Sequence, residues 1–148
     1  MRVLVDTNVL IDYWSTRKPF FEDAVKLRIA ACFDDIELWA SGQSFTDAEY
    51  MLSSVDNHSE VRAILEKSLA FLNIAASTAT DYAEGLASDW GDIGDYLVAK
   101  CAQRVRADYL LTRNKAGFIK SNVPVMEPKE FLALLKNKYN CEYDMVNL

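Results

Sequence analysis

The sequence predicts an α/β fold of three layers, in which helices cover both faces of a central parallel sheet of about five strands. The first observation is that short apolar runs alternate along the chain with segments whose apolar residues recur every three or four positions. The second is that no internal repeat, linker or low-complexity segment interrupts this alternation. Residues 1–138 are therefore expected to form a single domain, followed by a loosely held C-terminal tail over residues 139–148.

The first strand is predicted over residues 3–5, a buried apolar run that ends at Asp6. A short helical turn and a loop that ends at Pro19 are expected next. Apolar residues at intervals of four then predict an amphipathic helix over residues 20–33. The short apolar run at residues 36–40 predicts the second strand.

Two helices are predicted between the second and third strands. Ser44 is expected to cap the first of them, because Asp47 stands three residues later in a variant of the capping box. The buried stripe of this helix is expected to contain Phe45, Ala48, Leu52 and Val55. A polar break at residues 56–59 should separate the two helices, and we expect its His58 to be a loop residue rather than a catalytic base. Residues 72–76 predict the third strand.

The second half of the chain is expected to continue the same alternation. Thr78 and Asp81 mark the start of a helix that runs to about residue 88. A turn rich in glycine and carboxylates, residues 89–95, precedes a helix whose apolar stripe ends near Val105. The remaining elements are two strands and a terminal helix, predicted over residues 109–111, 123–126 and 128–136.

The composition is that of an ordinary globular protein. The chain has 148 residues, of which 51% are hydrophobic and 26% are charged, and it is long enough to bury a sizeable core. No stretch approaches the ~20 apolar residues that a membrane helix requires. The three cysteines are scattered without paired spacing, which predicts neither a disulfide framework nor a zinc site. Cys101 is expected to be a core residue, and the simplest location for the protein is a reducing cytoplasm.

The net charge of −6 argues against a nucleic-acid partner, but the charges are unevenly distributed. Residues 1–99 carry 7 Lys/Arg and 17 Asp/Glu, whereas residues 100–138 carry 9 Lys/Arg and 3 Asp/Glu. Acidic groups that bind metal ions would lower the net charge and still permit a phosphate substrate. The basic stretch therefore has two interpretations, a surface that holds a phosphate backbone and an ordinary solvated helix face.

Four aspartates are expected to meet at one edge of the sheet. Asp6 follows the first strand, and three others, Asp47, Asp92 and Asp95, lie at helix starts, which share the edge where parallel strands end. Each has a purely structural alternative, because aspartate caps helices and interacts favourably with the helix dipole. If they converge, their mutual repulsion would favour a bound cation, and an all-oxygen set of ligands suits Mg²⁺ or Mn²⁺.

Other catalytic chemistries are poorly supported. The chain contains no glycine-rich phosphate-binding motif, and no G-x-S-x-G accompanies its single histidine. A metal-dependent phosphatase acting on small esters is supported only by Asp6. Asn8 stands where phosphoaspartate enzymes of the haloacid dehalogenase type have a second aspartate, and it remains a supporting residue of the site. The remaining chemistry is metal-assisted attack of water on a phosphodiester.

Three stretches of the sequence resemble motifs of one protein family. V-D-T-N-V-L-I at residues 5–11 is similar to its first motif. Asp92 and Asp95, followed by A-D-Y-L-L-T-R-N at residues 107–114, are similar to a later motif, and residues 123–132 to its closing strand and helix. The family is that of the PIN domains, in particular the VapC-type toxin ribonucleases with a Thr-Arg-Asn motif. The resemblance extends over nearly the whole chain and implies a PIN-like fold.

The resemblance also implies an activity and its partners. The implied activity is that of a Mg²⁺- or Mn²⁺-dependent endoribonuclease, which cleaves RNA. The implied partners are a small antitoxin protein that neutralises it and a second copy of the chain in a homodimer. Asp6 and Asp95 would bind the ion, and Asp92 would assist. The second acid of the family lies early in the helix after the second strand, where Asp47 and Glu49 both qualify. Spacing from the small residue that begins this motif favours Asp47 as the third ligand.

The sequence departs from the family at the far side of the site. Many members have an acid at or just after the Thr-Arg-Asn motif, where this chain has Asn114 and Gly117. Asn114 would ligate the ion through its carbonyl or through a water, and Thr112 would orient a carboxylate or a water. Arg113 and Lys115 are the candidates for holding phosphate. The missing acid leaves open a second class of function, a catalytically weak or inactive PIN-like module that binds RNA or a protein partner.

Overall fold

The predicted three-layer α/β architecture is confirmed by the computed structural model, which describes residues 1–145. The strands are β1 (Arg2–Val5), β2 (Glu37–Ser41), β3 (Leu72–Ala75), β4 (Tyr109–Leu111) and β5 (Val125–Met126). The helices are α1 (Thr7–Trp14), α2 (Phe21–Cys32), α3 (Gly42–Ser53), α4 (His58–Ser68), α5 (Ala79–Ala87), α6 (Ile93–Arg104) and α7 (Pro128–Tyr139), with a 3₁₀ helix at Lys115–Phe118.

All strand pairs in the sheet are parallel, and the strand order is β3-β2-β1-β4-β5. The central strand β1 pairs on both sides, so that Val5 lies opposite Ala40 of β2 and Leu111 of β4. The chain leaves β1 toward β2 and later returns to the other side of β1, which places a topological switch point between β1 and β4. Ligands of open α/β sheets bind at such a point, beyond the carboxyl ends of the strands.

Side chains of β1 alternate between two cores, one on each face of the sheet. Val3 and Val5 belong to the larger core, which also receives apolar residues from α1, α2, α3, α4 and α7. Leu4 belongs to the smaller core, which is formed mainly with α6. Cys101 of α6 is fully buried in this second core, as expected. The near-continuous burial of β1 explains why its sequence is a plain apolar run without polar alternation.

Two details of α3 differ from the prediction. Ser41, not Ser44, is the N-cap, and its hydroxyl accepts a hydrogen bond from the Ser44 backbone N–H at 3.1 Å. The reason is that β2 passes directly into α3 without a loop, so that the helix begins at Gly42. Val55 was expected in the buried stripe, but it follows the end of α3 and is 80% exposed. His58 is also misplaced by the prediction, since it is the first residue of α4 rather than a loop residue.

The segment after α7 is attached more firmly than expected up to Tyr143. The terminal helix runs to Tyr139 and ends at Asn140, whose φ of 56° is left-handed. Tyr143 is buried against the larger core, and its hydroxyl donates a hydrogen bond to Asp35 at 2.6 Å. Residues 146–148 of the expected tail lie outside the described part of the chain. None of the helices within residues 1–145 has both the length and the apolar content to cross a membrane.

Asp81 joins the start of α5 to the end of α6. Its carboxylate accepts hydrogen bonds from Arg104 Nη2 at 2.6 Å and from the Thr78 backbone N–H at 2.8 Å. The bond from Arg104 outweighs the effect of burial and lowers the pKa of Asp81 to about 2. Thr78 completes a capping box with Asp81, as the sequence predicted.

We expect Asp81→Ala to lower the free energy of unfolding by about 2–3 kcal/mol near neutral pH. The folded pKa of about 2 lies below the ordinary 3.8, so this carboxylate stabilises the fold above about pH 4. The contribution is lost as the pH falls through about 2, and urea denaturation of both proteins along this range should show the difference shrinking. Glu84 also lies on α5, and its exposed side chain pairs with Lys100 of α6. Glu84→Ala should lower the free energy of unfolding by less than about 1 kcal/mol. Equal losses of unfolding free energy in the two variants would contradict a stabilising role of the Asp81 carboxylate.

Candidate active site

A cleft of about 490 Å³ opens at the carboxyl edge of the sheet. All four predicted acids line it, and we call it the acidic cleft: Asp6, Asp47, Asp92 and Asp95. Asn8 of α1 and Asn114, which follows β4, line it as well. The acids come from three different elements, the end of β1, helix α3 and the start of α6. Their convergence follows from the parallel sheet, because each strand delivers the chain to the same edge.

Asp6 is the most firmly held of these acids and is only 7% exposed. Its Oδ1 accepts from the Thr7 backbone N–H at 2.7 Å. Its Oδ2 accepts from Thr112 Oγ1 at 2.8 Å and from Asn8 Nδ2 at 3.1 Å. The two interpretations of Asp6, helix cap and site residue, are therefore compatible, since one carboxylate caps α1 and also lines the acidic cleft.

Burial is the main cause that raises the pKa of Asp6, and it outweighs the hydrogen bonds from Thr112 and Thr7, which lower it. Burial, followed by the negative charges of Asp92 and Asp6, raises the pKa of Asp95 to about 6. The charge of Asp92 thus raises the pKa of both Asp6 and Asp95, in each case as a smaller cause than burial. Burial and like charge both disfavour the ionised carboxylates, so a cation bound among them would stabilise their charged form.

Asp92 and Asp95 are positioned by the first turn of α6. Asp92 is the N-cap, and its Oδ1 accepts from the Asp95 backbone N–H at 3.0 Å. Asp92 is exposed, whereas Asp95 is partly buried against the 3₁₀ helix. A Cβ added at Gly117 would lie 2.5 Å from Asp95 Oδ2 and 2.9 Å from Asn114 Nδ2. The glycine therefore permits the close approach of the 3₁₀ helix to the Asp95 carboxylate.

Asp47, rather than Glu49, is the acid of α3 that lines the acidic cleft. Asp47 is exposed and faces the same opening as Asp6. Glu49 points away from it, and its Oε1 lies 3.1 Å from His58 Nδ1 and 3.5 Å from Arg62 Nε. His58 is thus a surface partner of Glu49, outside the cleft.

Thr112 organises the polar side chains at the end of β4. It is fully buried, and its hydroxyl donates to Asp6 while accepting from Asn8 Nδ2 at 3.2 Å and from the Asn114 backbone N–H at 3.0 Å. The hydroxyl therefore fixes the orientation of the Asp6 carboxylate. Asn8 also accepts from the Arg113 backbone N–H at 3.3 Å, which ties α1 to the loop after β4.

The structure does not place the two expected phosphate-binding side chains in the acidic cleft. Arg113 donates through Nε and Nη2 to the two carboxylate oxygens of Asp12, at 2.6 and 3.0 Å. Its guanidinium carbon lies 4.0 Å from the ring centroid of Phe20. Lys115 pairs with Glu130 of α7 at 2.8 Å. Two of the donors of Arg113 bind a buried carboxylate, so the residue joins the end of β4 to α1.

Asp12 is a structural residue that the sequence analysis missed. It is 1% exposed in the middle of α1, where the apolar residues of V-L-I-D-Y-W surround it. A charged residue within an apolar helical stripe is almost never buried without a partner. That rule identifies Asp12 as paired, but it does not identify the partner, which lies 101 residues later at Arg113.

Arg17 and Gln43 are two further residues of the acidic cleft that no motif indicated. Arg17 follows α1, and its Nε lies 3.8 Å from Asp12 Oδ1. Gln43 lies in the first turn of α3, and its buried Oε1 has no hydrogen-bond partner among the described residues. Their sequence surroundings are unremarkable, so only the tertiary structure brings them to the site.

The acids of the cleft do not form a preassembled ion site among the described residues. Considering residues 1–145 alone, no three Asp, Glu, His or Cys side chains are close enough together to share a metal ion. Asp6 is fixed by its hydrogen bonds, whereas Asp47 and Asp92 are exposed at the mouth of the acidic cleft. Any shared ion therefore requires these exposed carboxylates to turn inward.

A family model described as the PIN domain matches residues 2–116, which is most of the chain. No curated protein matches the sequence. Several solved structures share the fold, with low sequence identity.

One is VapBC2 from Rickettsia felis bound to a DNA fragment from its promoter, with 17% identity and a TM-score of 0.63, covering 86% of this chain and 98% of that chain. Another is VapBC-1 from nontypeable Haemophilus influenzae, with 16% identity and a TM-score of 0.62 over 87% of this chain and 99% of that one. A toxin–antitoxin complex from Klebsiella pneumoniae is 23% identical, with a TM-score of 0.59 over 85% and 97% of the two chains.

Proposed function

Because the chain belongs to the PIN domain family, we propose that it is a divalent-metal-dependent endoribonuclease. The observation that carries this proposal is the meeting of Asp6, Asp92 and Asp95 at one cleft, where burial and like charge raise the pKa of Asp95 to about 6. A capping role alone explains the position of each acid, but it gives no reason for the three to line one cleft, where the charges of Asp92 and Asp6 raise the pKa of Asp95.

The donor chemistry of the site fits Mg²⁺ or Mn²⁺, which prefer oxygen ligands. In our proposal Asp6, Asp95 and Asp47 hold the ion, with Asp92 in support. Thr112 orients the buried Asp6, and the exposed Asp47 and Asp92 would complete the set by turning toward it. A bound divalent ion supplies Lewis acidity to the phosphodiester and makes water a stronger acid.

The other side chains of the acidic cleft orient the acids and the substrate. Thr112 and Asn8 keep the Asp6 carboxylate in one orientation through their hydrogen bonds. Asn114 is exposed at the rim, and its Nδ2 lies on the side of Gly117 that faces Asp95. In our proposal this amide donates a hydrogen bond to a phosphate oxygen, where many family members would place an acid.

The proposal includes a partner and a cellular setting. One of the solved structures reported above is described as a toxin–antitoxin complex, and two others are VapBC structures. On that analogy, we propose that a small antitoxin protein silences the activity, that the protein forms a homodimer and that it acts in the cytoplasm. Co-purification with the product of a neighbouring gene and sedimentation of the purified protein test the first two points.

Incubation of the purified protein with structured RNA is expected to yield discrete internal fragments when Mn²⁺ or Mg²⁺ is present. The proposed reaction needs the ion at the acids, so EDTA should abolish cleavage and added Mn²⁺ should restore it. Gel analysis of end-labelled RNA separates internal cuts from trimming at the ends. Cleavage that persists in EDTA would contradict a metal-dependent reaction.

The second candidate function is a PIN-like module that binds without cutting. Two observations favour it: Asn114 and Gly117 replace acids, and no three acidic groups within the described chain share an ion as they stand. Calorimetry separates the candidates, because the nuclease should bind Mn²⁺ in a carboxylate-dependent way. Absence of heat on titration with Mn²⁺, together with intact RNA, would favour the module.

A further inference from the structure

The acidic cleft has to admit an RNA strand although its walls are dominated by carboxylates. This problem arises only if the proposed function holds, and the inference that follows rests on it. Arg113 and Lys115 do not solve the problem, since both are engaged in ion pairs away from the opening. A different cation must therefore hold the phosphate backbone near the acids.

Arg17 is the only basic residue that lines the acidic cleft, among the residues that the structure describes. It lies just beyond α1, after Thr16, whose φ of 51° turns the chain out of the helix. The Arg17 backbone N–H donates to Asp12 O at 3.1 Å, so the main chain is anchored while the side chain is half exposed. The guanidinium is thus carried by a fixed backbone and is accessible from the cleft.

Asp12 is paired with Arg113, and this leaves the guanidinium donors of Arg17 available for another ligand. Both carboxylate oxygens of Asp12 already accept short hydrogen bonds from Arg113, at 2.6 and 3.0 Å. Arg17 Nε approaches the same carboxylate only to 3.8 Å, which is beyond hydrogen-bond distance. A guanidinium that is held electrostatically but not by hydrogen bonds keeps its donors for a phosphate, which it can bind in a bidentate way.

The α3 wall of the acidic cleft offers a surface of a different kind. Tyr50 lines the cleft and is 80% exposed. Its neighbour in the cleft, Met51, is 49% exposed. An exposed aromatic ring beside a phosphate-binding cation is the combination with which proteins hold unpaired nucleotides, because the ring stacks on a base that is not in a duplex.

We propose that Arg17 and Tyr50 hold a single-stranded segment of RNA in the acidic cleft. Arg17 binds a backbone phosphate and Tyr50 stacks on a base. Neither residue belongs to the acids that would hold a metal ion, so both contacts form without metal.

The test is the binding of a short fluorescein-labelled single-stranded RNA, followed by anisotropy in EDTA over a series of salt concentrations. Arg17→Ala should weaken binding about 5- to 20-fold and make the slope of log K against log salt shallower by about 0.7, the value for one phosphate contact on a single strand. Arg17→Lys should restore the slope and part of the affinity. Lys18→Ala removes the same charge from an exposed neighbour that does not line the cleft, and should change affinity less than about 2-fold.

Tyr50 has a different expected signature. Tyr50→Ala should weaken binding about 5-fold or more with no change in the salt slope, and Tyr50→Phe should bind normally, because stacking requires the ring and not the hydroxyl. An unlabelled RNA duplex should compete poorly with the labelled strand. Equal effects of Arg17→Ala and Lys18→Ala, an unchanged Tyr50→Ala variant or efficient competition by duplex would each overturn the proposal.

These measurements are independent of cleavage. A protein that binds the strand through Arg17 and Tyr50 but never cuts RNA would refute the proposed function and leave this inference intact. Conversely, cleavage with normal binding by Arg17→Ala would refute the inference alone. Where cleavage is observed, Arg17→Ala should raise KM and change kcat less than about 3-fold, since uniform binding of a remote phosphate affects KM.

Discussion

Replacing Asp6 by asparagine is expected to reduce RNA cleavage about 100- to 1,000-fold while leaving the protein folded. The variant removes the charge of the most buried carboxylate in the acidic cleft, and charge stabilisation by a metal at such a site is worth several kcal/mol in the transition state. The asparagine oxygen can still accept from the Thr7 N–H, so the cap of α1 should persist, although its NH₂ group cannot accept from Thr112 as the carboxylate does. Initial rates with Mn²⁺ and thermal denaturation of both proteins measure the two effects.

The control for Asp6→Asn is Asp56→Asn, which removes an equal charge from an exposed position after α3, outside the acidic cleft. It should retain full activity. The pair Asp47→Asn and Glu49→Gln extends the same test to α3. Only Asp47 lines the cleft, so Asp47→Asn should lose activity and Glu49→Gln should keep it. Equal activity of Asp6→Asn and the unaltered protein would remove the acids from the mechanism and favour the binding module.

The positions of the acids could be predicted because they depend on topology alone. Once apolar runs alternate with helical segments, a parallel sheet follows, and every strand delivers the chain to the same edge. Asp6 at the end of β1 and Asp92 and Asp95 at the start of α6 reach the cleft for this reason, whatever their side-chain partners are. The helix start at Thr78 and Asp81 is equally local and was predicted correctly.

Side-chain pairing between distant segments could not be predicted. Arg113 follows Thr112 in a motif, and its sequence neighbourhood gives no sign that Asp12 occupies its donors. The choice between Asp47 and Glu49 also depends on a distant element, because His58 and Arg62 of α4 hold Glu49 on the other side of α3. Periodicity places both acids on the same helix, but only the packing of α4 against α3 decides which one faces the cleft.

Gly117 departs from the family pattern, and the structure gives a physical reason for a glycine at this position. The sequence alone presents this position as a missing acid. In the structure the residue lies so close to Asp95 that a side chain of any kind would require the carboxylate or Asn114 to move. The glycine is not in the left-handed region, so its role here is to leave space and not to adopt an unusual backbone conformation.

Gly117→Ala is therefore expected to lower RNA cleavage about 10- to 100-fold by displacing the Asp95 carboxylate, an effect of the size seen when residues that orient metal ligands are altered. The new Cβ would come within 2.5 Å of Asp95 Oδ2, and this oxygen is the end of a side chain that can rotate away. The cost should thus fall on the site rather than on folding, so that the free energy of unfolding changes by less than about 1 kcal/mol. Cleavage rates, Mn²⁺ titration calorimetry and urea denaturation together distinguish these effects.

Gly91→Ala is the matched control, because a Cβ at Gly91 would meet no heavy atom within 4 Å. It makes the same chemical change in the loop before α6 and should alter neither cleavage nor Mn²⁺ affinity. Full activity of Gly117→Ala would show that the Asp95 carboxylate is free to move without loss, and that its close approach to the 3₁₀ helix has no part in the reaction. Loss of activity in Gly117→Ala alone, with normal stability, would instead show that the reaction depends on the Asp95 carboxylate in its present position. Gly117→Asp should then lower activity as well, because the aspartate side chain occupies the same space although it adds a carboxylate.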